Sequence, residues 1–212
     1  MLKGLGRLPG PFFHPEPVGH SRQETGRAHG NRVMPSLKKK PVRDDAYWME
    51  KAIREAAKAS ARDEVPIGAV IVRNGAVIGR GYNLREGSND PSAHAEMIAI
   101  RQAARRSANW RLTGATLYVT LEPCLMCMGA IILARLERVV FGCYDPKGGA
   151  AGSLYDLSSD PRLNHQVRLT PGVCREECAT MLSDFFRDLR RRKKTKTTPV
   201  LFTDERKVPP EP

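Results

Sequence analysis

The chain has 212 residues, of which 35 are Lys or Arg and 23 are Asp or Glu, so its formal net charge at neutral pH is +12. This length suits one domain of ordinary size with extra segments and argues against two domains. Five cysteines, an odd number without the spacing of a disulfide framework, indicate a reducing compartment. No apolar run is as long as a signal peptide core or a membrane span, which predicts a soluble, cytoplasmic protein.

The positive charge is concentrated at the two ends of the chain. Residues 1–43 hold nine Lys or Arg and two Asp or Glu, residues 44–186 hold seventeen of each, and residues 187–212 hold nine and four. Basic ends on a neutral body favour a polyanionic partner, because Lys and Arg beside phosphates release counterions. The alternative is that terminal charge only solvates disordered ends. We favour solvation for the N-terminal end and a binding role for the run from Arg187 to Lys196.

Composition predicts three segments. Residues 1–42 are rich in Pro, Gly and basic residues and are expected to be a disordered extension, with Met34 as an alternative start. Residues 43–194 alternate between helical and β-rich patterns and are predicted to form the folded domain. Residues 195–212 are predicted to be a disordered tail.

The folded domain is predicted to begin with a helix and a hairpin. Asp44-Asp45 can cap a helix that runs to about Arg62, in which apolar residues recur at helical spacing. Two short β-rich runs, 69–73 and 76–82, flank Asn74-Gly75, a pair typical of tight hairpins.

Helices and strands alternate in the rest of the domain. We predict helices over 95–107, 123–135 and about 173–192, and strands over 115–120 and 138–142. This order predicts a mixed central sheet flanked by helices, with the two strands around the 123–135 helix parallel through a right-handed crossover. The predicted fold class is α/β, a three-layer α-β-α sandwich.

Four side chains at the starts of two predicted helices have the pattern of a catalytic zinc site. His94 and Glu96 begin one helix, and Cys124 and Cys127 begin the next. Zinc takes nitrogen and sulfur ligands, and three protein ligands leave a fourth position for water. Two thiolates and one imidazole also keep the site neutral, which makes the metal a good Lewis acid. We predict one zinc ion per chain on His94, Cys124 and Cys127, with Glu96 free to move protons.

Each half of this pattern has a plainer interpretation. A glutamate in a first helical turn often interacts only with the helix dipole, and a single CxxC can be redox-active or half of a structural zinc site. A structural site usually needs a fourth ligand, and the remaining cysteines form no second CxxC. We expect Cys174 and Cys178 to pack on the apolar stripe of the last helix, and Cys143 to pack beside a buried strand.

Together with these motifs, several stretches resemble the bacterial tRNA-specific adenosine deaminases of the zinc-dependent cytidine/deoxycytidylate deaminase superfamily. The resemblance covers about residues 44–190 and includes 63–70, 81–83, 145–153, 164–165 and 182–187. The zinc signature is the general one for this class, and the other stretches are specific to the family. The resemblance implies a cytidine deaminase-like fold with a five-stranded sheet, with residues 43–194 as the catalytic domain. It also implies hydrolysis of adenosine to inosine at the wobble position of a tRNA anticodon stem-loop, by a homodimer.

The resemblance further implies roles for individual residues. His94, Cys124 and Cys127 match the zinc ligands, and Glu96 matches the proton shuttle. Asn83 matches a residue whose amide hydrogen-bonds the target nucleoside, although it could equally be a turn-forming Asn.

Residues outside the zinc motif match a loop and a helix that contact the RNA. Asp145 and Lys147 match a loop that borders the anticodon pocket. Phe186 and Arg187 match a helix that contacts flanking nucleotides by stacking. Neighbouring Phe185 is expected to pack in the core.

Some residues depart from the family pattern and leave other functions open. Met128 and Cys143 stand where smaller residues are common, which affects the pocket's shape and therefore its selectivity. One alternative is a deaminase of a free base or nucleotide, of the guanine or deoxycytidylate type, which needs no basic helix. A second is a non-catalytic, zinc-stabilised RNA-binding module, against which Glu96 beside the ligands argues.

Overall fold

The computed structural model describes residues 43–196, in which helices cover both faces of a five-stranded sheet. The helices are α1 (Asp45–Ser60), α2 (Arg85–Ser88), α3 (Ala95–Ser107), α4 (Leu125–Leu133) and α5 (Arg175–Lys196). The strands are β1 (Gly68–Arg73), β2 (Ala76–Tyr82), β3 (Thr116–Leu121), β4 (Arg138–Cys143) and β5 (Arg168–Pro171). The predicted extension over 1–42 and the tail from 197 onward lie outside this range. None of the helices described has the length and apolar character needed to cross a membrane.

The sheet has the strand order β2-β1-β3-β4-β5 and is mixed, as the sequence predicted. Asn74 and Gly75 both take left-handed backbone conformations, at φ values of 52° and 68°, and form the tight turn between β1 and β2. β1 pairs antiparallel with β2 and β3. β3, β4 and β5 run parallel, so the predicted parallel pairing around α4 is confirmed.

The two faces of the sheet form two separate hydrophobic clusters, because side chains alternate along each strand. Ala69 and Ile71 of β1 belong to the cluster that includes residues of α3 and α4. Val70 and Val72 belong to the cluster that includes residues of α1 and α5. This arrangement confirms the three-layer α-β-α sandwich.

The three remaining cysteines pack against the core as predicted, although one lies outside its predicted helix. Cys178 is buried on α5 and Cys143 is buried at the end of β4. Cys174 is different: it is half-buried, has a φ of 53° and precedes the first residue of α5. It packs against the same hydrophobic cluster as Cys178, as predicted, but it lies just before α5 instead of within it.

Several element bounds differ from the predicted ones. α4 begins at Leu125 instead of residue 123, because the Pro123 carbonyl accepts a hydrogen bond from the Ala150 N–H at 2.9 Å and the chain stays extended through Cys124. α5 begins after Cys174 and continues to Lys196, two residues into the predicted tail. The residue patterns in the sequence predicted neither α2 nor β5.

A glycine on β2 lets α3 approach the sheet closely. A Cβ atom added to Gly81 would lie 2.1 Å from the Ala95 carbonyl oxygen and 2.8 Å from the Ala99 nitrogen. Because only glycine fits there, the first turn of α3 lies directly against the end of β2. The start of α3, with His94 just before it, therefore lies beside the end of β2, which Asn83 follows.

Candidate zinc centre and substrate pocket

The starts of α3 and α4 converge on one point. His94 and Cys124 are the extended residues that immediately precede these helices, and Cys127 lies in the first turn of α4. The positive end of a helix dipole favours a thiolate, and two such ends meet here.

The three donor atoms are spaced for a tetrahedral zinc ion. His94 Nδ1 lies 3.7 Å from Cys124 Sγ and 3.5 Å from Cys127 Sγ. Tetrahedral bonds of ordinary length to nitrogen and sulfur would separate these atoms by about 3.6 Å. Within residues 43–196, His94, Cys124 and Cys127 form a cluster whose donor atoms all lie within 4.8 Å of one another. Three protein ligands leave a fourth position for water.

The side chains at this centre influence one another's ionisation. A hydrogen bond from the Cys127 thiol lowers the pKa of Cys124 to about 4, and the same contact raises the pKa of Cys127. The pKa of His94 is raised, chiefly by its hydrogen bond with Cys124. The centre therefore favours a thiolate at Cys124, which is the form that binds zinc.

Glu96 lies beside the three donors but is not one of them. It is in the first turn of α3 and is 4% exposed. Burial raises the pKa of its carboxyl to about 6, against the opposing influence of the His94 imidazole. A buried carboxyl next to a metal centre is available for proton transfer.

A pocket of about 670 Å³ opens beside His94. The structure brings four further predicted site residues to its wall, namely Asn83, Asp145, Lys147 and Phe186. Arg85 of α2 and Arg190 of α5, which the sequence did not single out for the pocket, also line it.

The helical phase of α5 decides which of its residues face the pocket. Phe186 and Arg190, one turn apart, both line it. Arg187 is not part of this lining and pairs with Asp184 at 2.5 Å. Phe185 is half-buried, with its ring edge-to-face against Phe186 at a centroid distance of 5.5 Å.

A buried glutamate that the sequence did not single out orients Asn83. Glu64 is 1% exposed and accepts hydrogen bonds from Asn83 Nδ2 at 3.1 Å and from the Gly87 N–H at 2.7 Å. A carboxylate only accepts, so the Asn83 nitrogen is turned toward Glu64 and its orientation is fixed. The only signal for Glu64 in the sequence was its position as an acidic residue just before a buried strand, within the 63–70 stretch that resembles the family.

The family model for the cytidine and deoxycytidylate deaminase zinc-binding region matches residues 42–143. Fold and donor set together define a zinc-binding deaminase. The chain is similar to the tRNA-specific adenosine deaminase of Bacillus subtilis (strain 168), with 55% identity over 150 residues that cover 71% of this chain and 93% of that protein. The corresponding protein of Haemophilus influenzae is 48% identical over 71% of this chain and 87% of its own length. The chain belongs to the family of tRNA-specific adenosine deaminases.

Solved structures agree with this assignment. A structure from studies of A-to-I editing by tRNA deaminases at the wobble position of transfer RNA is 47% identical, with a TM-score of 0.62, and the match covers 64% of this chain and 99% of that one. The guanine deaminase from Nitrosomonas europaea is 20% identical, with a TM-score of 0.56, over 66% of this chain and 83% of that one. The second likeness shows a shared fold.

Proposed function

We propose that this protein is a hydrolase that converts adenosine to inosine at the wobble position of a tRNA anticodon. The observation that carries this proposal is the 55% identity to a tRNA-specific adenosine deaminase over 93% of that protein's length. The pocket beside His94, whose wall holds an amide, an aromatic ring and cationic side chains, suits an extruded nucleotide.

The zinc ion is assigned to His94, Cys124 and Cys127, whose spacing fits a tetrahedral site with one open position. When bound there, zinc supplies a Lewis acid that makes water more acidic and more nucleophilic at neutral pH.

Glu96 is assigned the proton transfers. Its carboxylate takes a proton from the attacking water and delivers it to N1 of adenine as oxygen bonds to C6. It then takes the proton of the new C6 hydroxyl and carries it to the exocyclic nitrogen, so that the C6=O bond forms, the C6–N6 bond breaks and ammonia leaves. Its burial beside the donors, without membership in the donor group, supports this role.

Recognition is assigned to the residues of the pocket wall. Asn83, held by Glu64, presents a fixed amide to the adenine. Asp145 and Lys147 form one side, and Phe186 offers a ring for stacking on a flanking base. Arg187 is exposed beside the pocket and is assigned to the RNA backbone, together with the basic end of α5.

Residues 43–194 are proposed to be the catalytic domain, flanked by basic segments that favour RNA. We place the enzyme in the cytoplasm. All five cysteines are free, which suits a reducing compartment, and the proposed substrate is a tRNA.

A homodimer is the proposed assembly. Large apolar side chains are exposed on and near α4, namely Leu125, Met126, Leu133, Leu154 and Tyr155. Exposed apolar patches of this kind mark protein interaction sites. The patch includes residues next to the zinc ligand Cys124, so a second subunit there would lie near the site.

The replacement Glu96→Ala tests the function. Inosine formation in tRNA should fall by at least about a hundredfold, because general acid–base catalysis is lost, while zinc stays at about one ion per chain. Inosine is scored as A-to-G changes by sequencing, and zinc by elemental analysis. Glu86→Ala, at an exposed residue of α2, is the control and should be active.

Retained activity in Glu96→Ala would refute the mechanism. Wild-type protein that contains zinc but deaminates free guanine or deoxycytidylate, and not tRNA, would favour the small-molecule alternative. Zinc without any deaminase activity would favour the RNA-binding module.

A further inference from the structure

A second buried carboxylate lies next to the zinc centre. Glu122 follows β3 and precedes Pro123 and the ligand Cys124. Its side chain is 2% exposed. A buried carboxylate is costly unless its oxygens are hydrogen-bonded or paired with a cation.

All the side-chain hydrogen bonds of Glu122 come from one segment, residues 145–153, called here the 145–153 loop. The N–H groups of Asp145 and Ala151 donate at 2.9 Å, and that of Ser153 donates at 3.0 Å. The Ser153 hydroxyl donates as well. Within residues 43–196 the structure gives no ion pair to Glu122, so loop dipoles take the place of a cation.

The loop fits closely around this carboxylate. A Cβ atom added to Gly149 would lie 2.3 Å from both Cδ and Oε2 of Glu122, so only glycine allows the backbone this close. Gly149 also forms a β-bridge with Cys124, and the Ala150 N–H donates to the Pro123 carbonyl at 2.9 Å. The loop is therefore attached both to the carboxylate and to the backbone of a zinc ligand.

The same loop forms part of the pocket. Its residues Asp145 and Lys147 line the pocket together with Asn83. We propose that Glu122 is a positioning residue, which holds the 145–153 loop in the conformation that forms this wall and thereby sets how well the pocket accepts its nucleotide. The inference rests on the proposed function for the identity of that nucleotide.

The charge of Glu122 is essential to this role. A carboxylate can accept all four hydrogen bonds. A glutamine of the same size has one acceptor oxygen, and its NH₂ group would face N–H donors. The variant Glu122→Gln therefore keeps the size of the side chain but loses part of the hydrogen bonding that holds the loop.

Amide hydrogen exchange on the zinc-loaded protein measures directly how well the backbone N–H groups of the loop are protected by hydrogen bonds. In Glu122→Gln the Ala151 and Ser153 amides should exchange at least about tenfold faster than in wild type, because hydrogen bonds to a charged group are strong. Amides of α1 should be unchanged. The matched control is Glu55→Gln, which alters a carboxylate that is also buried but is paired with Lys58 and Arg80.

Kinetics separate positioning from a general loss of structure. With an anticodon stem-loop RNA, Glu122→Gln should raise KM about tenfold, leave kcat within about threefold and keep one zinc per chain. Glu55→Gln should change neither constant. Ser153→Ala removes one donor of four and should raise KM by a smaller factor, which keeps the test decisive if Glu122→Gln does not fold.

Two results would overturn the inference. One is amide exchange at Ala151 and Ser153 that stays at the wild-type rate in a folded Glu122→Gln variant. The other is an equal KM change in Glu55→Gln. Absence of activity in wild type would refute the proposed function but leave the exchange result valid.

Discussion

The orientation of the Asn83 amide should depend on Glu64, and the replacement Glu64→Gln tests this. Glu64 is 1% exposed and accepts from both Asn83 and Gly87. Glutamine keeps one acceptor oxygen, so its NH₂ group must face one of the two donors. The variant therefore loses one hydrogen bond to a charged group, worth about 1.5–3 kcal/mol.

A loss of about 2 kcal/mol corresponds to roughly a 30-fold change in an equilibrium constant. If the conformation with the Asn83 amide oriented by Glu64 is destabilised by this amount, kcat/KM for an anticodon stem-loop should fall by up to about 30-fold. Zinc content should not change, because neither residue belongs to the donor group.

The assay is a double-mutant cycle of Glu64→Gln, Asn83→Ala and the two combined. If Glu64 acts through Asn83, the combined variant should be no worse than Asn83→Ala alone. Losses of kcat/KM that add in the combined variant would refute the reasoning, since Glu64 would then act independently of Asn83.

Two further replacements test the packing of the site and the assembly. Gly81→Ala should lower the thermal unfolding midpoint by several degrees, because its Cβ would clash with the Ala95 carbonyl and overpacking costs about 1–3 kcal/mol. Gly129→Ala on α4, where a Cβ meets nothing within 4 Å, should leave the midpoint unchanged or raise it. Equal midpoints for the two variants in calorimetry would contradict the close contact between Gly81 and α3. Leu133→Glu, at a side chain that is 66% exposed, should convert the proposed dimer to a monomer in light scattering. The exposed Gln166→Glu serves as its control, and a dimer that survives Leu133→Glu would exclude this patch as the interface.

Much of the fold was predictable from patterns within short stretches of the sequence. The predicted bounds of α3 and β2 match the structure, because helical periodicity and an Asn-Gly turn are signals contained in a few neighbouring residues. The zinc donors were predictable for the same reason, since their spacing along two helix starts is itself the motif. β5 has only four residues and no buried side chain, so it left no pattern to detect.

Contacts between distant segments were not predictable from the sequence. Pro123 was expected to start α4, but its carbonyl pairs with Ala150, 27 positions away, and keeps the chain extended. Glu64 and Glu122 are acidic and would ordinarily be assigned to the surface. Their burial depends on donors from other segments, so only the folded chain reveals them.

Much of the pocket wall comes from parts of the chain that hold no zinc donor, although His94 belongs to both. The donors lie at the starts of α3 and α4, whereas Lys147 comes from the 145–153 loop and Phe186 and Arg190 come from α5. Under the proposed function, substitutions on α5 would alter the choice of nucleotide without touching a metal ligand. Natural drift or laboratory selection at these positions would then change the substrate while the hydrolytic centre is kept.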